Sequence, residues 1–300
     1  MADLNPPSPR AVNARDLKSG GLPPLAHIDE LVHRALAEDL GEVGDITTDS
    51  TIPADRQAAG VIAARKAGVV AGLPVAMRVF QLIDATVRLT AKVADGAHVV
   101  PGTVLLEISG SARSLLKAER VALNFLGHLS GVATATADIA AAIAPTKTKV
   151  CCTRKTTPGL RVLEKYAVRC GGGVNHRMGL YDQVLIKDNH IAAAGSITKA
   201  IEGAKRHAPR GVKLEVEVDT LEQLDEVLAA GVDQVLLDNM NPAQLKEAVA
   251  RVAGRAITEA SGSITRASAP AIAESGVDLI SVGWITHSAP CLDLGLDFTA

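Results

Sequence analysis

Five cationic donors stand close together in a chain with no excess of positive charge: Arg154 and Lys155 in "TRKTTPGLR", His176 and Arg177 in "GGGVNHR", and Lys187 in "VLIKDNH". The same run holds Arg161, Lys165 and Arg169 against one acid, Glu164, although the 300 residues as a whole carry 31 Lys+Arg against 33 Asp+Glu. Arginine forks match carboxylate and phosphate oxygens in pairs, so this set exceeds the needs of one carboxylate. The run Gly171-Gly172-Gly173 would let backbone approach an anion closely or adopt positive φ. Glu217 and Asp238 add two acids to the same group. Beside anionic phosphates their simplest role is to hold Mg²⁺, which takes one or two carboxylates plus ligand phosphates; gripping ribose hydroxyls is the alternative. Ser261, Gly262 and Gly283 suit loops that cradle phosphate with backbone N–H groups. The ligands implied are one polyanionic acid and one sugar phosphate, which carry the negative charge the protein's own segment lacks.

These residues share a position relative to short apolar runs. "KVCC" leads into Thr153, Arg154 and Lys155, "DQVLI" into Lys187, and "LEVEV" contains Glu217 near its end. "DQVLL" gives way to Asp238, "RAITEA" to Ser261 and Gly262, and "DLISV" to Gly283. Amphipathic segments such as "SITKAIEGAKRHA", "LEQLDEVLAAG" and "PAQLKEAVARVAG" lie between them. Repeated β-α units predict a parallel sheet, because parallel neighbours need a crossover. The carboxyl ends of such strands form one face, where barrel active sites lie. About six strands fit between Lys149 and Gly283, whereas a complete eight-fold barrel takes ~250 residues. The expected fold is therefore α/β, an open or shortened α/β barrel of about six parallel strands. A doubly wound sheet is the alternative, disfavoured because no G-x-G-x-x-G follows the first strand.

Ahead of the barrel, "HIDELVHRALAEDLG" has helical apolar spacing and "GDITTDSTIP" reads as a loop. From "QAAGVIAARKAGVVAG" to "TVLLEISG", β-branched runs surround one helix at "PVAMRVFQLID", a small α+β domain. "ARSLLKAERVALNFLGHLSGVATATADIAAAI" is a long helix linking it to the barrel. Residues 1–25, rich in Pro, Gly, Asn and Ser, read as a disordered arm.

Composition excludes several functions. Aromatics are 2%, too few for the stacking platforms of single-stranded nucleic-acid binders, and a net charge of −2 gives no broad field for a polyanion or a membrane surface. The four cysteines contain no C-x-x-C pair, and adjacent Cys151 and Cys152 make poor disulfide partners. All four read as small buried or neutral residues in a reducing compartment. With no positively charged leader and no run near ~18 apolar residues, the expectation is a soluble cytoplasmic protein.

The joined motifs "TRKTTPGLR" and "EKYAVRCGGGVNHRMGLYDQVLIKDNH", with "ERVALNFLGHLSGVAT", "EVEVDTLEQL" and "LLDNM", resemble the quinolinate phosphoribosyltransferase family. The resemblance runs from "ALAEDLGEVGDITTDSTIP" to "SVGWITHSAPCLDLGLDF". It implies an N-terminal α/β sandwich over residues 26–130, a barrel over 131–284, and a tail, 285–300, that returns to the first domain. It implies a homodimer, or a higher oligomer built from it, with Arg120 reaching the partner's site. By motif match Thr153, Arg154, His176, Arg177 and Lys187 would line the quinolinate pocket, and Lys155 would bridge the two substrates. Glu217 and Asp238 would hold the ribose and Mg²⁺ end of phosphoribosyl pyrophosphate and, with Lys155, carry catalysis. Ser261, Gly262, Ser263, Val282, Gly283 and Trp284 would surround its phosphate. Three positions depart from the family pattern: Cys152 stands for a common Asp, Ser263 for a glycine and Trp284 for a small residue. Two rival readings use the same residues: a Schiff-base aldolase with Lys187 as the amine, and a non-catalytic anion binder similar to molybdenum-transport-associated relatives.

Overall fold

Helical apolar spacing begins the folded chain. In the computed structural model, which describes residues 21–299, α1 (Leu25–Leu40) turns Ile28, Leu31, Val32 and Leu36 into the core. The arm expected over residues 1–25 falls almost wholly outside the described residues. The "GDITTDSTIP" stretch is not the loop expected of it. It forms α2 (Ile46–Thr51), because the Asp45 side chain accepts the Thr48 N–H at 2.9 Å and satisfies a donor the helix start leaves open.

Next come β1 (Gln57–Ala64), β2 (Gly68–Val69), α3 (Leu73–Ile83), β3 (Arg88–Ala91), β4 (His98–Val99) and β5 (Val104–Ser111). Strands β1, β5 and β3 pair antiparallel in that order, and α1, α3 and the long α4 (Ala112–Ala142) pack together over them. Phe80, Leu105, Leu106, Leu115 and Leu126 are fully buried there, a core that is aliphatic apart from Phe80 among these five. Helix α4 runs unbroken through residue 130, where the two domains were divided, and packs against elements on both sides.

The barrel follows as β6 (Lys149–Cys151), α5 (Arg161–Cys170), β7 (Val184–Ile186), α6 (Asp188–Ala194), α7 (Ile197–His207) and β8 (Leu214–Val218). It continues as α8 (Leu221–Ala230), β9 (Gln234–Asp238), α9 (Pro242–Val252), β10 (Ile257–Ser261), α10 (Ala269–Ala273), β11 (Leu279–Ser281) and α11 (Trp284–His287). The strands are parallel and lie in the order β7-β8-β9-β10-β11-β6. Chain order thus proceeds around a ring, and the first strand pairs with the last, which a doubly wound sheet does not do. The ring stays open between β6 and β7. There Val174 alone adds a parallel bridge to Cys151, donating its N–H to Val150 O at 2.8 Å and accepting from Cys152 N at 3.1 Å. The final strand, β12 (Leu294–Thr299), leaves the barrel and pairs antiparallel with β1, from Ala64↔Leu294 to Ala59↔Thr299.

Candidate active site

Side chains alternate along a strand, so each barrel strand sends every second residue inward. Register decides which of them meet. Leu185 lies opposite Glu215, so the residue after β7, Lys187, comes beside Glu217, and Lys187 Nζ contacts Glu217 Oε2. The cavity at this carboxyl-end face is about 330 Å³. All five cationic donors line it: Arg154, Lys155, His176, Arg177 and Lys187, with Thr153 beside them and Ser261 opposite. Thr153 Oγ1 accepts the Lys155 N–H at 3.0 Å, and Thr286 Oγ1 donates to Lys155 O at 2.7 Å, which fixes the turn after β6. Arg154 Nε is buried with no hydrogen-bond partner, and burial, then the Arg154 charge, pushes the Arg177 guanidinium below its usual pKa. The unpartnered Arg154 Nε, beside a second guanidinium whose Nη1 donates to Gln183 O at 3.1 Å, fits a bound anion that supplies the missing acceptor.

The rest of the basic run serves the fold. Glu164, its single acid, is fully buried, accepts the Thr157 N–H at 3.0 Å and contacts His128 Nε2 of α4 at 2.9 Å. Arg161 holds Thr156 Oγ1 and Met178 O, while Arg169 ends α5. Lys165 is fully buried beneath His176, donating to His176 O at 2.9 Å and to Cys152 Sγ at 3.0 Å. Cys152 therefore partners a lysine where the resemblance puts an acid. The glycine run also departs from expectation. A Cβ at Gly171 would lie 2.3 Å from Ala133 O, and one at Gly173 would lie 2.7 Å from Thr136 Cγ2. These glycines let the chain press on α4; only Gly172, with φ +83°, uses the conformational freedom.

The cavity floor contains acids that the strand-end reading passed over. Glu215 and Glu259 are fully buried, and Glu259 lines the cavity. Gln234 Nε2 donates to Glu215 Oε1 at 3.0 Å and to Glu259 Oε2 at 2.7 Å, while Gln183 Nε2 donates to Glu215 Oε2 at 2.9 Å. His176 Nε2 lies 3.1 Å from Glu215 Oε2 and 3.7 Å from Glu259 Oε1. Its Nδ1 accepts the Arg177 N–H at 2.7 Å, which puts the ring proton on Nε2. Burial works against a charged His176, but Glu215 and Glu259 outweigh it and raise its pKa. Donor atoms of His176, Glu215 and Glu259 lie within 4.8 Å of one another, yet the glutamines and the histidine already fill the space between the carboxylates. The signal for both acids was in the sequence: Glu215 stands two residues before Glu217, and Glu259 two before Ser261.

Glu217 and Asp238 sit at neighbouring strand ends, on paired β8 and β9. Each engages one oxygen, Glu217 with Lys187 and Asp238 with Asn239 Nδ2 at 2.7 Å. Two carboxylates with an oxygen each to spare are the hard donors Mg²⁺ takes, so the residues fit that ion. Beyond β10, Gly262 has φ +117° and its Cβ would lie 2.3 Å from Asn239 Oδ1; Ser263 follows with φ +43°. Trp284 Nε1 donates to Ile264 O at 3.0 Å and so ties this loop to the one after β11. A Cβ at Gly283 would lie 3.0 Å from Lys155 Cδ, so the lysine stem runs over this glycine. The Val282 side chain is packed in the core and its N–H donates to Cys151 O at 2.9 Å, so it supports the site from behind. Arg120 is not at this cavity. It projects from α4 into a second one, lined also by Asn124, His128 and Asp293. Of the four cysteines, none of them in a disulfide, Cys151 and Cys152 are buried as expected, whereas Cys291 is exposed at the start of the tail.

Known proteins match over the whole folded chain. The family model described as quinolinate phosphoribosyl transferase, N-terminal domain, matches residues 45–130, and the C-terminal domain model matches residues 132–297. The nicotinate-nucleotide pyrophosphorylase [carboxylating] of Mycobacterium leprae is 46% identical, over 89% of this chain and 96% of the relative. The probable enzyme of the same name from Bacillus subtilis is 43% identical, over 91% and 93%. The solved nicotinate-nucleotide pyrophosphorylase of Francisella tularensis superposes with a TM-score of 0.90 at 40% identity, covering 93% of this chain and 99% of that one.

Proposed function

The chain belongs to the quinolinate phosphoribosyltransferase family, and from that premise we propose that it joins quinolinate to phosphoribosyl pyrophosphate, releasing pyrophosphate and CO₂ and giving nicotinate mononucleotide for NAD biosynthesis. The observation that carries this reading is the convergence of Arg154, Lys155, His176, Arg177 and Lys187 on one cavity. A dicarboxylate is held by Arg154 and Arg177, with His176 fixed beside them by Glu215, while Lys155, whose stem crosses Gly283, faces the second substrate. Its ammonium neutralises charge as pyrophosphate leaves, the kind of preorganised electrostatic aid that is worth ~10²–10³ in rate per donor. Glu217 and Asp238 would hold Mg²⁺, which when bound would neutralise the leaving pyrophosphate. The pyridine nitrogen attacks the anomeric carbon as it gains positive character. Once quaternised, that nitrogen stabilises the electron pair left behind as CO₂ departs, and no covalent nucleophile from the protein is needed. The Schiff-base reading of Lys187 loses support, since Glu217 contacts its Nζ as an ion-pair partner rather than leaving a desolvated amine.

The assembly we propose is a homodimer in which Arg120 serves the partner's cavity. In support, Arg120 and the rim cavity share no lining residue within one chain. We place the protein in the cytoplasm, consistent with its four free cysteines and with the absence of a membrane-length apolar helix among the described residues. Incubating purified protein with quinolinate, phosphoribosyl pyrophosphate and Mg²⁺ tests the reaction. Nicotinate mononucleotide and pyrophosphate should appear in equal amounts; nicotinate used in place of quinolinate at equal rate would refute the dicarboxylate assignment.

A further inference from the structure

We propose that Glu259 is the proton donor to the pyridine carbon that loses CO₂. This rests on the phosphoribosyl-transfer reading of the cavity and adds a catalytic group to it. Decarboxylation leaves the electron pair of the broken C–C bond on the ring carbon next to nitrogen, and that carbon must gain a proton before nicotinate mononucleotide exists. The donor must therefore line the cavity and carry a proton on an oxygen that no protein group already engages.

The hydrogen bonds single out Glu259. Its neighbour Glu215 receives donors on both oxygens, from Gln234 on Oε1 and from Gln183 and His176 on Oε2. Glu259 receives Gln234 on Oε2 only, and its Oε1 is buried with no partner. A bare carboxylate oxygen in that position would lie against the bound dicarboxylate; an O–H there has both a reason to be protonated and a direction in which to give the proton. Burial, then the Glu215 charge, pushes the Glu259 carboxyl up to about 7, which suits a group that cycles its proton near neutrality. Of the other polar groups of the cavity, Lys155 is assigned to the pyrophosphate end, and His176, Lys187 and Ser281 have partners of their own. His176 turns its Nε2 proton to Glu215 and Lys187 contacts Glu217, while the Ser281 hydroxyl, which donates to Ala260 O at 3.3 Å, also lies close enough to Glu259 to favour its charged form, an effect that burial and Glu215 outweigh. Besides Glu215 and His176, the titratable groups around Glu259 are Cys151 of β6 and Lys165 of α5 behind it, and Arg154, Lys155, Arg177 and Lys187 across the cavity.

In the step itself the bond between ring carbon and carboxylate breaks and CO₂ leaves without its electrons. As that bond breaks, in the same step, the ring carbon takes the Oε1 proton of Glu259 with the retained pair, and Glu259 is left as carboxylate. Solvent restores its proton once product departs and the cavity reopens.

Single-turnover measurements that follow pyrophosphate and CO₂ separately test this, comparing wild type with Glu259→Gln, which keeps the shape and the Gln234 contact but has no acidic proton. Glu259→Gln should release pyrophosphate within a few-fold of wild type, while CO₂ and nicotinate mononucleotide slow by ~10²-fold or more, the usual range for a lost general acid. CO₂ release at the wild-type rate overturns the proposal, as does an equal loss of both products with weakened quinolinate binding, which would mark a binding role. Should the variant fail to fold, wild-type enzyme still decides: the ratio of CO₂ to pyrophosphate release rates should fall as pH rises through neutrality, and a flat ratio overturns the proton role. Wild-type protein that releases no pyrophosphate with quinolinate overturns this inference together with the reading beneath it, whereas normal wild-type turnover beside an unaffected Glu259→Gln removes the proton role alone.

Discussion

A carboxyl sealed among other acids settles its charge by keeping its proton, and that choice has a cost the unfolded chain does not share. Glu259 holds its proton up to about pH 7 when folded, against 4.5 for the free side chain. Between those values the native state binds more protons than the unfolded one, so stability falls as pH rises from 4.5 to 7 and levels off above. At ~1.4 kcal/mol per unit the whole effect is about 3 kcal/mol. Glu259→Gln removes it: urea unfolding at pH 5 and pH 8, an interval that holds most of the effect, should show wild type losing about 2 kcal/mol more than the variant. Equal losses would mean that Glu259 ionises normally. The acids with depressed pKa values, Asp29, Asp45, Asp84, Glu222 and Asp278, titrate below this window and cancel in the comparison. At this scale the sequence is legible in its cations: Arg154, Lys155 and Lys187 stand at strand ends and His176 and Arg177 in the basic run, and all five line the cavity, whereas the strand-end acids Glu217 and Asp238 are not among its lining residues. Glu215 and Glu259 were missed because they sit inside apolar runs, "LEVEV" and "ITEAS", where alternation marks a residue as inward but not as buried in the company of another acid.

Elements show the same division between pattern and packing. The long helix and the six strands follow from apolar period, while α2 depended on one capping carboxylate and looked like a loop of β-branched residues. The glycine run was read for freedom toward an anion, yet its position against α4 only exists once helix and loop are folded together. Gly171→Ala should therefore lower stability by about 2 kcal/mol, as an overpacked contact does, because the Ala133 carbonyl is backbone and cannot move aside. Gly172→Ala meets no atom within 4 Å and pays only for its positive φ, ~1 kcal/mol or a little more. Thermal melts that rank the two the other way would refute this packing. Trp284 joins two strand-end loops in a similar manner. Trp284→Phe keeps the ring but loses the bond to Ile264 O, worth about 1 kcal/mol. If the Gly262–Ser263 loop binds the sugar phosphate, KM for phosphoribosyl pyrophosphate should rise about fivefold, with KM for quinolinate and kcat little changed. As the chain holds one tryptophan, wild-type fluorescence should respond to phosphoribosyl pyrophosphate and not to quinolinate alone.

For the molecule as a whole, the packing of α4 against elements of both parts and the return of β12 to β1 join barrel and N-terminal sheet. Helix α4 joins them and carries Arg120 on a face that does not reach the rim cavity of its own chain. A site that needs Arg120 must then draw it from a second copy, and subunit mixing makes the consequence countable. Arg120→Ala alone leaves both cavities of a dimer without the arginine, and Lys187→Ala alone leaves both without the lysine. In a mixed dimer, the cavity with intact Lys187 belongs to the Arg120→Ala chain and faces a partner that still has Arg120, so it is complete; the other cavity lacks both. Random re-pairing of equal amounts makes half the dimers mixed, and each has one working site of two, so activity should return to about a quarter of wild type. If Arg120 served the cavity of its own chain, every cavity in the mixture would lack one residue and activity would not recover. Native mass spectrometry confirming mixed dimers, with no recovered turnover, would overturn the shared site.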